Sequence, residues 1–465
     1  MTFAAAAEVR LTEFVASARV LLSGADPARW SDLDHLVRRG WWHTALPMSI
    51  VDVAATRDPA ELVVAACHND GYVRAAALDR IQREPMDTYA PVLVLRASDW
   101  VPQVRERARF ICRSWLNSSP VQALLALAPM AFALERRYNG GWLSDLLRTS
   151  LRTGTPELLA AVLAAPDWRI RRVAYLTALA TDRLDPDQIM HGALKDADLP
   201  IRLACAEAAF QHARANGDLD IPRRLATSRT AGIRADAIHR LTESGDLEPA
   251  LAGLLDRSPV VRALSQTVAR RAGADPAQLY RDRLAESPIP VAVAGLGETG
   301  TATDRDLLWP FVSHPEDRYR AEAVRALRRL GAGPSDVFLG LLTDPARSVV
   351  REVVQLLRPY AGNLDEDLVR GLLAPTHEWH VRIAGYRLLH DRGAWSRVEA
   401  DLALFTDADV RLAKLGRDDL SSWLVNGAAT TYSRPAGAQR ERLLDLLAKA
   451  EHVPRSLELV RFHIG

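Results

Sequence analysis

A short pattern of apolar and polar positions recurs along most of this chain. Each copy has a β-branched or aromatic residue, then Arg, and in most copies a small residue three positions later. Neighbouring copies lie about 30 residues apart, or about twice that distance in two places. A fixed period of this size predicts a stack of repeated units. The ten arginines of the pattern are Arg74, Arg105, Arg171, Arg202, Arg234, Arg262, Arg320, Arg351, Arg382 and Arg411.

Each copy carries start and stop signals for a helix of about three turns. Ser258 followed by Pro259 is typical of a helix N-terminus, where Ser accepts a hydrogen bond from a free amide and Pro has no amide to leave unpaired. Gly273, eleven positions after Arg262, predicts the helix end, and four other copies keep this spacing. A second apolar stretch, such as 337–342, precedes the next copy. Each unit therefore predicts helix A, a turn rich in Asp and Pro, and helix B.

The two double intervals predict degenerate units without the arginine. In one, Val291 takes the place of Arg and Gly300 is the predicted stop; in the other, a helix over 142–154 fills the gap after extra residues. The total is about twelve helical hairpins. The predicted organisation is an N-terminal helical cap, a repeat region with two degenerate units, and a C-terminal helical cap. These segments are 1–60, 61–415 with its degenerate units near 117–166 and 276–303, and 416–465.

The pattern resembles HEAT repeats, and most closely the short HEAT-like units named after phycobiliprotein lyases, over roughly residues 60–415. The resemblance implies an all-α fold, a right-handed α-α superhelix or solenoid, and says almost nothing about activity. In this family the turn Asp and the helix-B Arg form a ladder between neighbouring units. Acidic candidates lie four or six positions before several of the arginines: Asp70, Asp99, Asp167, Asp196 and Asp256. We therefore expect a structural role for nine arginines: Arg74, Arg105, Arg171, Arg202, Arg234, Arg262, Arg320, Arg351 and Arg382.

Composition changes this picture little. The chain has 59 basic and 58 acidic residues, so it lacks the overall positive field of a dedicated nucleic-acid-binding protein. The three cysteines are far apart and form no CxxC pair, which argues against a disulfide framework or a zinc site. No stretch approaches 18 uninterrupted apolar residues. We expect a soluble cytoplasmic protein without a membrane partner.

Two motifs resemble cofactor or metal sites. Gly295, Gly297 and Gly300 form a GxGxxG sequence, but it falls where a helix B should end, whereas a dinucleotide site needs a preceding strand. The segment 377–380 holds the chain's only His-Glu pair, and deoxyhypusine hydroxylases, which are HEAT-type enzymes, use several such pairs to hold two irons. No GxSxG, Walker A or HExxH motif occurs. We therefore expect no catalytic residue, no metal and no cofactor.

The main irregularity lies at residues 98–171, where three predicted A–B turns each contain tryptophan. Trp and Arg are enriched in binding hot spots, and an insertion in a repeat often marks the binding face. Alternatively, each indole covers the gap between adjacent hairpins, as the isolated Trp379 suggests. The candidate partner-binding residues are Trp100, Arg136, Arg137, Tyr138, Trp142 and Trp168.

These features predict a non-catalytic scaffold or adaptor that mediates protein–protein interaction. The partner, whose identity the sequence does not give, would bind along the concave helix-B surface or along the Trp/Arg edge. The alternative hypothesis is a DNA-binding protein or a DNA-repair glycosylase of HEAT-like fold, in which Asp99 with Trp100, or Asp167 with Trp168, would face a cationic damaged base. The balanced charge and the number of repeats make nucleic acid the second choice.

Overall fold

The computed structural model of the chain describes residues 3–24, 26–39, 46–435, 437–449 and 455–465. Within these ranges every regular element is helical, which confirms the predicted all-α fold. The chain divides into two compact bodies, an N-terminal body of residues 1–237 and a C-terminal body of residues 238–465.

Fifteen helices of the described residues begin in the N-terminal body, and the last of them extends past residue 237. They are α1 (Phe3–Leu22), α2 (Pro27–Arg39), α3 (Ile50–Ala55), α4 (Pro59–Ala66), α5 (Gly71–Ile81), α6 (Met86–Ala97), α7 (Pro102–Ser118), α8 (Pro120–Ala133), α9 (Gly141–Thr153), α10 (Pro156–Leu163), α11 (Trp168–Ala180), α12 (Pro186–Lys195), α13 (Leu199–Asn216), α14 (Asp220–Leu225) and α15 (Ala231–Glu243).

The C-terminal body continues the alternation of a helix A and a helix B, with short 3-10 turns beside several helices. Its described helices are α16 (Glu248–Gly253), α17 (Pro259–Arg271), α18 (Pro276–Glu286), α19 (Pro290–Thr299), α20 (Arg305–Leu308), α21 (Asp317–Arg329), α22 (Asp336–Gly340), α23 (Arg347–Leu357), α24 (Glu366–Gly371), α25 (Trp379–His390), α26 (Ala394–Phe405), α27 (Val410–Asn426), α28 (Gly437–Lys449) and α29 (Arg455–Ile464). From α4 to α27 the even-numbered helices are helices A and the odd-numbered ones are helices B. In the described ranges this gives twelve hairpins, as the period predicts.

Of the predicted start and stop signals of α17, the stop is confirmed and the start differs from the prediction. Gly273 follows α17 with φ +83°, the left-handed conformation that ends a helix and that glycine adopts without strain. Ser258 is the N-cap of α17, but its side chain makes no capping hydrogen bond, contrary to the prediction. Instead, Asp256 Oδ1 accepts a hydrogen bond from the Ser258 amide at 2.7 Å, so the turn aspartate organises the helix start.

Small residues three positions after the arginine let neighbouring helices approach closely. Ala77, Ala108, Ala174 and Ala323 are all fully buried. The cysteines are buried as well, Cys67 and Cys112 in one apolar cluster and Cys205 in another, and burial raises the pKa of all three thiols to about 12. These thiols are therefore protonated at neutral pH and unsuited to nucleophilic catalysis.

Both degenerate units are complete helical hairpins. The first consists of α8 and α9, joined by the long connection 134–140, and the second consists of α18 and α19. The predicted C-terminal cap begins at residue 416, which lies inside α27, and α28 and α29 follow. Trp395, Trp423 and Leu443 join α26, α27 and α28 in one apolar cluster.

Candidate functional site

The repeated arginines clamp one hairpin to the next within each body. Arg171 donates to the carbonyls of Ala165 and Pro166 in its own turn at 2.8 and 2.9 Å, and its Nε lies 2.9 Å from Asp196 Oδ2 in the following turn. Asp196 in turn accepts from the Asp198 amide at 2.8 Å. One guanidinium thus binds two consecutive A–B turns.

The same contact pattern recurs with small changes in other hairpins. Arg74 pairs with Asp99, Arg262 with Glu298, Arg320 with Asp344 and Arg382 with Asp407, while Arg202 donates to the Thr230 hydroxyl. These side chains are committed to internal bonds, so a partner would have to break them to reach the cations.

Two aspartates have a different role from the one the sequence suggested. Asp70 Oδ1 accepts from the Tyr72 amide at 2.8 Å, and Asp167 Oδ1 accepts from the Arg169 amide at 2.7 Å. Each therefore caps its own helix B. The carboxylates that pair with the arginines come from the next hairpin. A side chain four positions before an arginine lies at the start of the same helix, where it caps that helix.

Among the described residues, two of the nine arginines form ion pairs only with a neighbour in sequence. Arg105 Nε lies 3.6 Å from Glu106 Oε1, and Arg351 Nη2 lies 3.2 Å from Glu352 Oε1. No carboxylate of the following hairpin pairs with either residue in the described part of the chain. Arg351 is also more than half exposed, whereas Arg320 is mostly buried.

This contrast gives a testable difference in stability. Arg320→Ala is expected to lower the free energy of unfolding by about 2 kcal/mol, because charge-assisted bonds to Asp344 and to two turn carbonyls are lost. Arg351→Ala is expected to change it by less than about 0.5 kcal/mol, as for other exposed positions. Urea denaturation followed by circular dichroism measures both, and equal losses would contradict the distinction.

The three tryptophans of residues 98–171 have different surroundings. Trp100 is 67% exposed and lies beside Arg74, while Trp168 is 42% exposed with Arg172 Cζ 4.4 Å from its ring centroid. Trp142 is half-buried, with two guanidiniums of α7 over its ring, those of Arg109 at 4.8 Å and Arg113 at 5.3 Å.

Trp142 does not lie along the same edge as Trp100, contrary to the prediction that the three tryptophans share one edge. Arg109 and Arg113 are roughly 10 and 16 Å along α7 from its start, given a rise of about 1.5 Å per residue. Trp142 therefore packs over the middle of α7, whereas Trp100 lies just before it begins. The long connection 134–140 accounts for this shift, because it breaks the regular offset between hairpins.

The N-terminal segment packs against the A–B turns, which the sequence did not reveal. Asp34 of α2 binds Arg96, and Arg38 Nη2 of α2 lies 3.0 Å from Asp99 Oδ2. Asp99 also lies 3.1 Å from Arg74 Nε and 3.0 Å from Arg96 Nη1. These three guanidiniums and two carboxylates form a mostly buried network. Its two acidic residues are 65 positions apart in the chain, so no local sequence pattern predicts the network.

The electrostatics of this network favour the charged carboxylates. Burial by itself would raise the pKa of Asp34 and of Asp99, but the surrounding guanidiniums outweigh it, and both pKa values lie below the usual range. For Asp99 the main favourable contributions come from Arg96, the Val101 amide and Arg74. The network therefore anchors α2 as an internal ion cluster.

The connection 134–140 also contacts helix α2. Arg137 Nη2 is 3.4 Å from His35 Nε2 of α2, about one turn from Arg38. Next to it, Tyr138 is 85% exposed, and Arg136 is exposed without an ion-pair partner among the described residues. We call the surface of Trp100, Arg136, Arg137 and Tyr138 beside α2 the edge site.

The two aspartates that the sequence suggested for a DNA glycosylase, Asp99 and Asp167, both have internal partners. Asp99 is buried among three guanidiniums, and Asp167 Oδ1 is occupied by the helix cap of α11. A carboxylate that recognises a cationic base must be able to approach it. The positions of Asp99 and Asp167 therefore suit structural roles and give the glycosylase hypothesis no support.

The glycines of the GxGxxG sequence lie within and at the end of helix α19. A Cβ on Gly295 would come 2.2 Å from the Tyr280 ring, and a Cβ on Gly297 would come 2.4 Å from Ala326. Gly300 is the C-cap. Close packing of helices therefore explains Gly295 and Gly297 without a nucleotide.

One cluster in the C-terminal body brings potential metal ligands together. His390 Nε2 lies 2.9 Å from Asp401 Oδ1, and donor atoms of His390, Asp401 and Asp419 lie within 4.8 Å of one another. The Tyr386 hydroxyl is 2.6 Å from Asp401 and 2.5 Å from Asp419, and burial above all raises the pKa of Asp401. Arg397 lies about 4 Å from both carboxylates and offsets their charge. Within the described ranges the cluster is a hydrogen-bonded link between α25, α26 and α27.

Comparisons with known proteins address the fold alone. No protein-family model matches the sequence, and no curated protein matches it. Crystallised importin-β aligns with 97% of this chain and 67% of its own, at 14% identity and a TM-score of 0.34. For yeast importin-β (Kap95p) the values are 99%, 69%, 12% and 0.32, and for the karyopherin Kap121p bound to the extreme C-terminus of the phosphatase Cdc14p they are 85%, 52%, 12% and 0.29.

These low identities and TM-scores say nothing about what the chain binds. No described helix is both long enough and apolar enough to cross a membrane. The repeat type rests on the molecule itself, on twelve A–B hairpins and on arginines that join consecutive turns. In fold, the chain is a helical-repeat protein of the HEAT type.

Proposed function

We propose that this protein is a non-catalytic scaffold that binds a protein partner at the edge site of its N-terminal body. The observation that carries the proposal is the exposure of Trp100 and Tyr138, with Arg136, which has no ion-pair partner among the described residues, close to Tyr138 in the chain. Large aromatic side chains and Arg dominate binding hot spots, because they bury much apolar area and offer directed hydrogen bonds.

The residues that precede the two aromatic residues contact the same stretch of α2, which supports treating the edge site as one surface. Trp100 follows Asp99, which binds Arg38, and Tyr138 follows Arg137, which contacts His35. Because internal bonds fix the supporting residues, the site is largely formed before binding, which lowers the entropic cost of association.

The charge of the edge site indicates an acidic partner surface. Arg136 has no ion-pair partner among the described residues, whereas Arg137 contacts the His35 ring and also interacts electrostatically with the Asp34 carboxylate. Nearby Glu135 is already bound by Arg148 at 2.8 Å. A partner that offers carboxylates around an apolar contact would therefore complement the site.

The test is affinity capture from the source cells with quantitative mass spectrometry. The Trp100→Ala/Tyr138→Ala double variant is expected to lose a specific partner by at least about tenfold, because hot-spot truncations cost 2 kcal/mol or more. The matched control is Tyr432→Ala/Phe462→Ala, which removes two exposed aromatic side chains from the C-terminal body. Circular dichroism establishes that both variants remain helical.

Unchanged capture by the edge variant, or equal loss in the control, would exclude the edge site. The DNA hypothesis has its own assay, in which a labelled duplex is retained with an affinity that falls steeply with salt. Retention of the duplex together with loss of protein capture would favour that alternative.

A further inference from the structure

A groove in the C-terminal body lies between the consecutive B helices α23 and α25. It has a volume of about 110 Å³ and combines aliphatic side chains with exposed arginines. The aliphatic lining is Val350, Val354, Ile383 and Ala384, and the polar lining includes Arg347, Arg351, Arg387 and His380.

The groove lies where one ion pair is missing from the series that joins consecutive hairpins. Arg320 pairs with Asp344 before it, and Arg382 pairs with Asp407 after it. Arg351, between them, has no such partner in the part of the chain that the structure describes. The position six before Arg382, which holds Asp in several other turns, is Thr376. The guanidinium that should join two hairpins therefore extends into the groove opening.

The one carboxylate near Arg351 is already shared. Glu352 is buried, and its Oε1 lies 2.8 Å from Arg325 Nη2 and 3.2 Å from Arg351 Nη2. Arg328 lies 3.9 Å from the other oxygen. Arg325 also pairs with Glu322 at 2.8 Å, so three guanidiniums share two carboxylates and leave a local excess of positive charge.

Two further cations of the groove lack a carboxylate. Arg347 and Arg387 are exposed, and neither has an ion-pair partner among the described residues. His380 Nε2 is 2.9 Å from the Asp344 carbonyl oxygen, which only accepts, so this nitrogen carries the proton and fixes the ring at the groove wall.

The groove is poorly suited to a nucleotide. Single-stranded nucleic acids stack their bases on free aromatic faces, but two guanidiniums, of Arg347 and Arg411, already lie 5.2 Å from the Trp379 ring centroid. At about 110 Å³ the groove is also smaller than typical small-molecule pockets, which measure roughly 300–1,000 Å³.

We infer that this groove binds a glutamate side chain from an acidic segment of a partner protein. The carboxylate would accept hydrogen bonds from Arg351 and Arg387, and the methylene stem would pack on Val350 and Ile383. Arg matches carboxylates through paired hydrogen bonds, which makes it well suited to this recognition. The site lies in the other body from the edge site and is independent of the function proposed for that surface.

The test uses a fluorescein-labelled peptide of four consecutive glutamates between Gly-Ser flanks, with anisotropy as the readout at low ionic strength. The unmodified protein is expected to bind it, and to bind the glutamine analogue at least about tenfold more weakly. Arg351→Ala/Arg387→Ala is expected to weaken glutamate binding at least about tenfold, because charge-assisted hydrogen bonds are lost. Both positions are exposed, so the variant should fold, which circular dichroism checks.

The matched control is Arg270→Ala/Arg271→Ala, which removes the same charge from exposed positions on α17. It should bind the peptide within about twofold of the unmodified protein, as should the edge variant Trp100→Ala/Tyr138→Ala. No binding of the glutamate peptide, or equal losses in the two arginine variants, would overturn the inference. So would tighter binding of a short DNA duplex, or a more than tenfold preference for a phosphoserine peptide, because each identifies a different ligand.

Discussion

Replacing Asp99 with alanine is expected to lower the free energy of unfolding of the N-terminal body by about 3–5 kcal/mol, the range found when one partner of a buried ion pair is removed. Asp99 is 3% exposed and lies within 3.1 Å of Arg38, Arg74 and Arg96. Without it, Arg38 and Arg96 retain Asp34, and Arg74 retains no carboxylate partner among the described residues. Hydrogen exchange of peptides from α2 and α6, together with urea denaturation, measures the loss.

The control for this substitution is an exposed ion pair in the same body. Asp79 pairs with Arg107, and both side chains are about half exposed, so Asp79→Ala should cost at most about 1 kcal/mol. If Asp99→Ala costs no more than Asp79→Ala, the network does not hold α2 against the turns.

The same carboxylates set a direction for the pH dependence. The pKa values of Asp34 and Asp99 are lower in the native state than the ordinary 3.8, so the native state binds fewer protons than the unfolded chain. Their contribution is therefore present at neutral pH and is lost as the pH falls below 3.8 towards the native values. Faster exchange in α2 should appear in this acidic window, and Asp99→Asn should reduce the change.

The second large effect is expected at Gly295. A Cβ there would lie 2.2, 2.3 and 2.6 Å from three atoms of the Tyr280 ring. The ring cannot withdraw easily, because it is 1% exposed and its hydroxyl donates to the Leu254 carbonyl at 2.7 Å. Gly295→Ala should therefore cost about 1–3 kcal/mol, as other overpacked cores do. Thermal and urea unfolding of the C-terminal body measure it.

Gly371 provides the matched comparison for this prediction. It ends the short helix α24, and a Cβ at this position would meet no atom within 4 Å. Gly371→Ala should be neutral or slightly stabilising, because alanine restricts the unfolded chain. Tyr280→Leu should recover part of the loss caused by Gly295→Ala, since it removes the obstructing ring atoms. Equal tolerance of the two glycine substitutions would refute the packing explanation.

The repeat pattern predicted features that depend on nearby residues. Gly273 and Gly331 adopt positive φ at helix ends, and the small residues Ala77 and Ala323 are fully buried. These outcomes follow from backbone sterics and helical periodicity over a few turns. The hidden helix α19, which begins at Pro290, could be found for the same reason.

The pairing of the arginines was harder to predict. Asp70 and Asp167 have suitable spacing before an arginine, yet they cap helices, and the carboxylate partners come from the next hairpin, 24 to 36 residues farther on. Spacing within one turn cannot determine which later carboxylate will meet a side chain. The absent acid at Thr376 was nevertheless visible in the sequence, and it was the one signal that could have marked the groove near Arg351.

Part of the edge site could also be predicted. Trp100 and Tyr138 are exposed as a binding surface requires, but Trp142 packs against the guanidiniums of Arg109 and Arg113. The connection 134–140 changes the offset of one hairpin, and a regular repeat gives no measure of such a shift. Its contact with α2 through Arg137 and His35 spans 102 positions.

The sequence by itself determined the all-α repeat, the number of hairpins and the helix-B positions of the arginines, because each depends on periodicity and capping within about 30 residues. Only the tertiary structure decided which surfaces remain exposed. Asp34 meets Arg96 across 62 positions, and this contact places α2 against the A–B turns. Burial of these charges is favourable only when all partners assemble together, so the arrangement is a property of the folded body and not of any segment.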